Sequence, residues 1–160
     1  MNLNSLFKHQ KRLDARIIEE HNLEDKDVSV EKLVALSVEL GEFKNELPET
    51  FKFWSKKKNN YEKALVEYVD CIHFAISVAN DLGYEKHTYV STEPRDLNRL
   101  YLGLQDIITT LSVSEAARHI EALMNNLILL GYQTSFTEKQ VIEAYHKKHA
   151  INHKRQDNKY

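Results

Sequence analysis

The sequence predicts an all-α helical bundle of about six helices, and three observations lead there. Only four glycines and two prolines punctuate 160 residues, too few for a sheet protein with many tight turns. Apolar residues recur at three- and four-residue spacing along most of the chain, the period of a helix with one buried face. The composition, 42% hydrophobic and 29% charged, is that of a globular chain long enough for a sizeable core.

The elements follow in order. Leu3, Leu6, Leu13 and Ile17 mark a first helix. Leu33, Leu36, Leu40, Phe43 and Leu47 mark a second, which Pro48 helps to stop because it has no amide hydrogen to donate. A third runs from about Tyr61 to Leu82, with Gly83 suited to its C-cap. Leu97, Leu100, Leu104, Ile107, Ile108 and Leu111 indicate a fourth. Ala117, Ile120, Met124, Leu127 and Ile128 indicate a fifth, expected to close at Gly131. Thr137, with Gln140 three residues on, forms a capping box that opens a last helix through Tyr145. There is no repeat and no low-complexity linker, so residues 1–160 read as a single domain whose segment 145–160 is a basic tail.

Charge and composition exclude several function classes. A formal net charge of −2 gives no general reason to bind nucleic acid or an anionic membrane. No apolar run is long enough to cross a bilayer, and M1-N-L-N-S-L-F-K-H-Q-K-R12 has no apolar signal core. The single cysteine, Cys71, precludes an internal disulfide and suits a reducing compartment. The cytoplasm is the expected location.

Two pairs of acids carry the chemistry. At about 100° per residue, Glu39, Glu42 and Glu46 form a narrow stripe beside the core stripe of Leu36, Leu40 and Phe43. In the third helix Glu67 and Asp70 continue the apolar line of Cys71, Phe74 and Val78. Burying an ionised carboxylate without a partner costs several kcal/mol, so acids placed there need cations. For any one acid a structural ion pair is the commoner explanation. The second-helix acids, however, have no basic residue at i+3 or i+4 on their own stripe, and Asp70 has only His73 and Phe74. Hard divalent cations with oxygen ligands, Mg²⁺ above all, answer that need. Magnesium shares its coordination with substrate phosphates, which calls for basic groups nearby. T50-F-K-F-W-S-K-K-K58 and the tail supply them, and Tyr145, Lys148, Asn152 and Arg155 share one stripe if the last helix continues. Judged alone, each basic segment is as readily a solvated loop or a frayed end. Gln10, a polar amide on the core-facing line of the first helix, and His73, one turn after Asp70, are either satisfied core-edge groups or ligand contacts.

Taken together these residues resemble a known family, the dimeric all-α dUTP diphosphatases, relatives of the MazG-type nucleotide pyrophosphohydrolases. The resemblance rests on E39-L-G-E42 and E67-Y-V-D70, on Q10-K-R-L-D14, F51-K-F-W54 and V69-D-C-I-H-F74, and on K148-H-A-I-N-H-K-R-Q156. Family members often carry Asn where Asp14 and His149 stand, departures that leave the four acids untouched. The resemblance implies hydrolysis of dUTP to dUMP and pyrophosphate, with dUDP as a second substrate. It implies that Glu39, Glu42, Glu67 and Asp70 hold two or three Mg²⁺ ions, or Mn²⁺ in their place, by the two-metal logic. Glu39 is then the base toward the attacking water. Lys148, Asn152 and Arg155 clamp the phosphates, while Gln10, Trp54 and His73 line the uracil and deoxyribose pocket. A metal site between two antiparallel core helices and a homodimer are expected. The rivals are a broader NTP pyrophosphohydrolase and a non-catalytic helical binding module.

Overall fold

Residues 1–114 and 116–158 are described by a computed structural model. Among them the chain forms α1 (Asn4–Glu20), α2 (Ser29–Asn45), α3 (Tyr61–Asp81), α4 (Leu97–Leu111), α5 (Ala117–Gln133) and α6 (Glu138–Asp157). A 3-10 turn at Pro48–Thr50 follows α2, and no strand occurs among these residues. None of the helices is long and apolar enough to cross a membrane.

Local chemistry sets most of the boundaries. Asn60 accepts from the Lys63 amide at the start of α3, and Asp96 accepts from Asn98 and Arg99 at the start of α4. Thr137 and Gln140 form the expected capping box of α6. Gly83, at φ +80°, lets the chain leave α3, with the Gly83 amide bonded to the Asn80 carbonyl and that of Tyr84 to Ala79. The last helix does not end at Tyr145. It continues through the basic tail to Asp157, and the final two residues of the sequence lie outside the described ones.

The fifth helix corrects an expectation. Gly131 does not close α5, which runs on to Gln133. The glycine is buried inside the helix, where an added Cβ would meet Tyr68 Oη at 2.5 Å and Met1 Cε at 2.8 Å. Close packing, not chain reversal, requires it. The reversal falls to Ser135 at φ +65°, with the Phe136 amide bonded back to the Gly131 carbonyl.

α2 and α3 pair as an antiparallel hairpin. The end of α2 meets the start of α3 through Asn60 N–H to Glu46 O at 2.8 Å, and Lys32 near the start of α2 reaches Asp81 at the end of α3. Leu36, Leu40, Phe43 and Leu47 are buried against Ala64, Tyr68, Ile72 and Ile76. α3 is the central helix, touching α1, α2, α5 and α6. From Tyr68 to Ala79 every one of its residues except Phe74 is buried. Whatever polar residues the sequence placed in that stretch therefore enter the interior.

Gly131→Ala is expected to destabilise the fold by about 1–3 kcal/mol, because a methyl group enters a filled contact. Ser135→Gly should stabilise it by about 0.5–1 kcal/mol by removing a left-handed non-glycine residue. Thermal unfolding followed by circular dichroism separates the two signs.

Candidate active site

The central position of α3 puts Asp70 at 6% exposure, while Glu67, one turn earlier, is half-buried. Antiparallel pairing brings Glu39 of α2 opposite them. One carboxylate oxygen from each of Glu39, Glu67 and Asp70 lies within 4.8 Å of the others. Three carboxylates at that separation cannot all ionise cheaply. The Glu39 carboxyl is pushed up to about 7, by burial first and then by Asp70, Glu42 and Glu67, against the pull of Lys148. Glu67 and Asp70 are also raised, each by burial first. The buried Cys71 thiol beside them is pushed up by burial and the same three acids, which keeps it protonated and unreactive.

The lysines nearest in sequence are engaged elsewhere. Lys32 pairs with Asp81, Lys44 donates to Thr50 Oγ1, and Lys52 lies over the Phe51 ring. The cation that does arrive comes from α6: Lys148 Nζ reaches Asp70 Oδ2 at 2.5 Å. Arg155 acts on Asp70 through its charge and also donates to Asn152 Oδ1 at 3.4 Å. Lys148, Asn152 and Arg155 thus do lie together on α6, as the stripe predicts. Glu42 is exposed and outside the three-carboxylate set, although its charge is felt by all three members.

A polar seam runs from these acids between α1, α3 and α6. The Gln10 amide oxygen accepts from the Tyr145 hydroxyl and from His73 Nδ1, both at 2.7 Å, while its Nε2 donates to Asp14 Oδ1 at 2.7 Å. His73 stacks on Tyr145 with ring centroids 3.9 Å apart. Because Nδ1 carries the ring proton, Nε2 is an acceptor, and it is buried without a hydrogen-bond partner. Burial, with His149 and Lys148, drives the His73 pKa down to about 3, so the ring stays neutral. Asp14 is raised by burial, its Oδ2 also lacks a partner, and it lines a cavity of about 550 Å³ bounded by Ile18, Leu33, Val78 and Leu111.

These distances give the sequence candidates different places. Gln10 and His73 meet each other in the seam, one turn from Asp70. Trp54 is 68% exposed on the loop after α2, its ring touching that of Phe53. Sequence reasoning missed Tyr145 as the partner of Gln10, and it noted Asp14 only as a departure from the family pattern, not as Gln10's acceptor. The available signal was spacing: Asp14 is four residues after Gln10, and Tyr145 three before Lys148.

The family model described as dUTPase matches residues 2–160. The chain belongs to the all-α dUTPase family. No curated protein matches it at a significant level. As a dUTPase it is a hydrolase, a nucleotide diphosphatase acting on dUTP. Enzymes of this family use a divalent metal, and the donor set here fits one. Three oxygen ligands converge, all with raised pKa and with one ammonium among them, so a divalent cation relieves a repulsion that the fold leaves standing.

That repulsion has a testable sign. Glu39 ionises near 4.5 when unfolded and near 7 in the folded, metal-free dUTPase. Between those values the native state holds a proton that the unfolded state has lost, so stability falls as pH rises through the window. Glu39→Gln should therefore raise the melting temperature of the metal-free protein at pH 7.5 by roughly 2–4 °C, for a screened effect on the order of 1 kcal/mol. The gain should shrink toward pH 4.5, which calorimetry at the two pH values reads directly.

Proposed function

We propose that this dUTPase is a Mg²⁺-dependent diphosphatase that converts dUTP to dUMP and pyrophosphate through attack of water on the α-phosphorus, with dUDP as a further substrate. The observation that carries the reading is the convergence of Glu39, Glu67 and Asp70 from two helices with Lys148 as their close counter-charge. These three would hold the metal together with Glu42, whose exposed side chain is able to turn inward from one helical turn away. An all-oxygen donor set suits Mg²⁺, with Mn²⁺ able to replace it. Bound there, the metal supplies charge neutralisation along the phosphate chain and a lower pKa for the attacking water.

The remaining work belongs to the protein's own side chains. Glu39, half-buried beside Glu67 and Asp70, would serve as the base toward the attacking water. Lys148 neutralises Asp70 in the absence of ligand. Once the acids have other counter-charges, its ammonium can turn to the phosphates, joined by Asn152 and Arg155 on the same helix. His73 Nε2 offers the nucleoside a buried acceptor. The N3–H of uracil satisfies it, whereas N3 of cytosine is itself an acceptor and leaves it unpaired, a large discrimination in a hydrogen-bonding pocket. Gln10 fixes the ring tautomer that makes this possible. Thymine must be excluded by shape, and closure of the exposed Trp54 loop over the nucleoside would supply part of that shape.

We place the enzyme in the cytoplasm, supported by its single, buried and reduced cysteine. We also infer a homodimer, supported by exposed apolar residues such as Leu102 on α4 and Val30, Val34 and Val38 on α2. Light scattering at micromolar concentration should give twice the chain mass.

A pyrophosphate-release assay across the four dNTPs and dUTP tests the central reading. Wild-type protein should turn over dUTP only with Mg²⁺ or Mn²⁺ present. Glu67→Gln should lower kcat by about 10³-fold or more, at unchanged helicity, because a charge-stabilising ligand is lost. Comparable turnover of dCTP or dTTP would instead make the protein a broad NTP pyrophosphohydrolase.

A further inference from the structure

The second half of α6 has no apolar anchor. Its buried residues are Val141 and Tyr145, both in the first half, and among the described residues from His146 onward none is buried. Ile151, the one large aliphatic there, is 40% exposed. A helical segment normally keeps its place through a buried apolar face, and a stretch this short is marginal in water on its own. Polar contacts must hold it: Lys148 pairs with Asp70 at one end, and half of the contacts converge on one residue of α1. Arg16 donates through Nη2 to Asp157 Oδ1 at 2.6 Å, through Nη1 to the His153 carbonyl at 3.2 Å and to His153 Nδ1 at 3.1 Å. Its Nε is held by Glu20 at 2.6 Å, which fixes the guanidinium plane. His149 Nε2–H adds a bond to the His9 carbonyl at 3.1 Å, and His21 meets Gln156 at 3.0 Å.

We infer that Arg16 is a positioning residue that latches the basic half of α6 over the acid cluster, and that protonation of His153 opens the latch. This rests on the reading that Lys148, Asn152 and Arg155 act on substrate phosphates, since all three stand between Tyr145 and the latched end. A clamp that must be reseated when substrate binds gives up part of its binding free energy to ordering the helix, so the latch sets apparent affinity more than the rate of the bound complex.

The pH sensitivity follows from donor and acceptor chemistry. A guanidinium has no acceptor, so His153 Nδ1 must present a lone pair to Arg16. A proton at Nδ1 would set N–H against N–H. The groups facing the imidazole are Arg16 and Glu20 from α1 and His149 and Asp157 from α6. Burial, His149 and Arg16 lower its pKa, and Asp157 and Glu20 offset part of this. Around it the seam is densely basic. His149 meets His153 at 4.5 Å and His9 at 5.7 Å, His9 meets His146 at 5.0 Å, and Lys8 and Arg12 lower His9 further. A lowered pKa when latched means the latch is fully held above the ordinary value of 6.5 and weakens as pH falls below it.

Hydrogen exchange on the full, nucleotide-free chain tests this apart from catalysis, with rates corrected for intrinsic pH dependence. At pH 7.5 Arg16→Ala should speed exchange of residues 150–157 by about tenfold, the loss of a charge-assisted bond, with the core helices unchanged. KM for dUTP should rise by a similar factor while kcat stays within about twofold. Arg16→Lys should restore part of the protection. Asp157→Asn, at the exposed end of the ion pair, should reproduce the loss in smaller measure. Wild-type protein at pH 5.5 should approach the Arg16→Ala behaviour. His153→Asn, whose amide oxygen accepts from Arg16 at any pH, should keep its protection there. Unchanged exchange in both Arg16→Ala and Asp157→Asn would overturn the latch. Equal loss at pH 5.5 in His153→Asn and wild type would overturn its trigger. Failure of dUTP hydrolysis with exchange behaving as described would count only against the catalytic reading.

Discussion

Everything in this structure is arranged around a repulsion: Glu39, Glu67 and Asp70 are held together at a partly buried meeting of two helices. Such a cluster opposes folding, and it persists because the helices that carry it are fixed by other forces. Leu36, Leu40 and Phe43 of α2 and Tyr68, Ile72 and Ile76 of α3 are buried as one interface, each large side chain contributing about 1.5–3 kcal/mol. The acids are passengers on that interface. A single ammonium, Lys148, is enough to make Asp70 tolerable and too little to satisfy all three. The unmet charge is what raises Glu39 to about 7 without a cation and what a divalent ion would relieve.

The same central helix also builds the polar seam between α1, α3 and α6. Asp70, His73 and Ser77 follow one another at three- and four-residue spacing, so they form one line along α3. Each is buried because the helix is surrounded, and each therefore needs a polar counterpart. Gln10 provides it for His73, while also bonding Tyr145 and Asp14, and Lys148 provides it for Asp70. His73 Nε2 has no hydrogen-bond partner and is the acceptor that the proposed uracil contact would use. Specificity for a base edge can thus be read as an incomplete hydrogen-bond network in an otherwise well-packed core.

Rigid and adaptable parts are separated. Acids, Gln10 and His73 are on helices whose neighbours are filled, which suits groups that must keep sub-ångström placement. Trp54 stands on an exposed loop, and the basic half of α6 is held by polar contacts with no buried apolar residue. These are the elements a substrate can reposition at small cost, because no apolar core has to be opened to move them.

The sequence by itself determined the helices and the acid pairs. Apolar spacing, Pro48, Gly83 and the Thr137–Gln140 box are local signals acting within one or two turns, and the structure follows them. The placement of Glu67 and Asp70 on an apolar line likewise marked acids that the fold draws inward, where they meet Glu39. What only the tertiary structure decided is which distant groups meet. Nothing within a few residues of Asp70 points to Lys148, or of Gln10 to Tyr145, because both contacts form when α6 returns across α1 and α3. The same holds for Gly131, whose sequence context reads as a helix end until Tyr68, 63 residues earlier, is seen to occupy the space of its missing side chain. Local periodicity fixes which face of a helix is buried; only packing fixes what it is buried against.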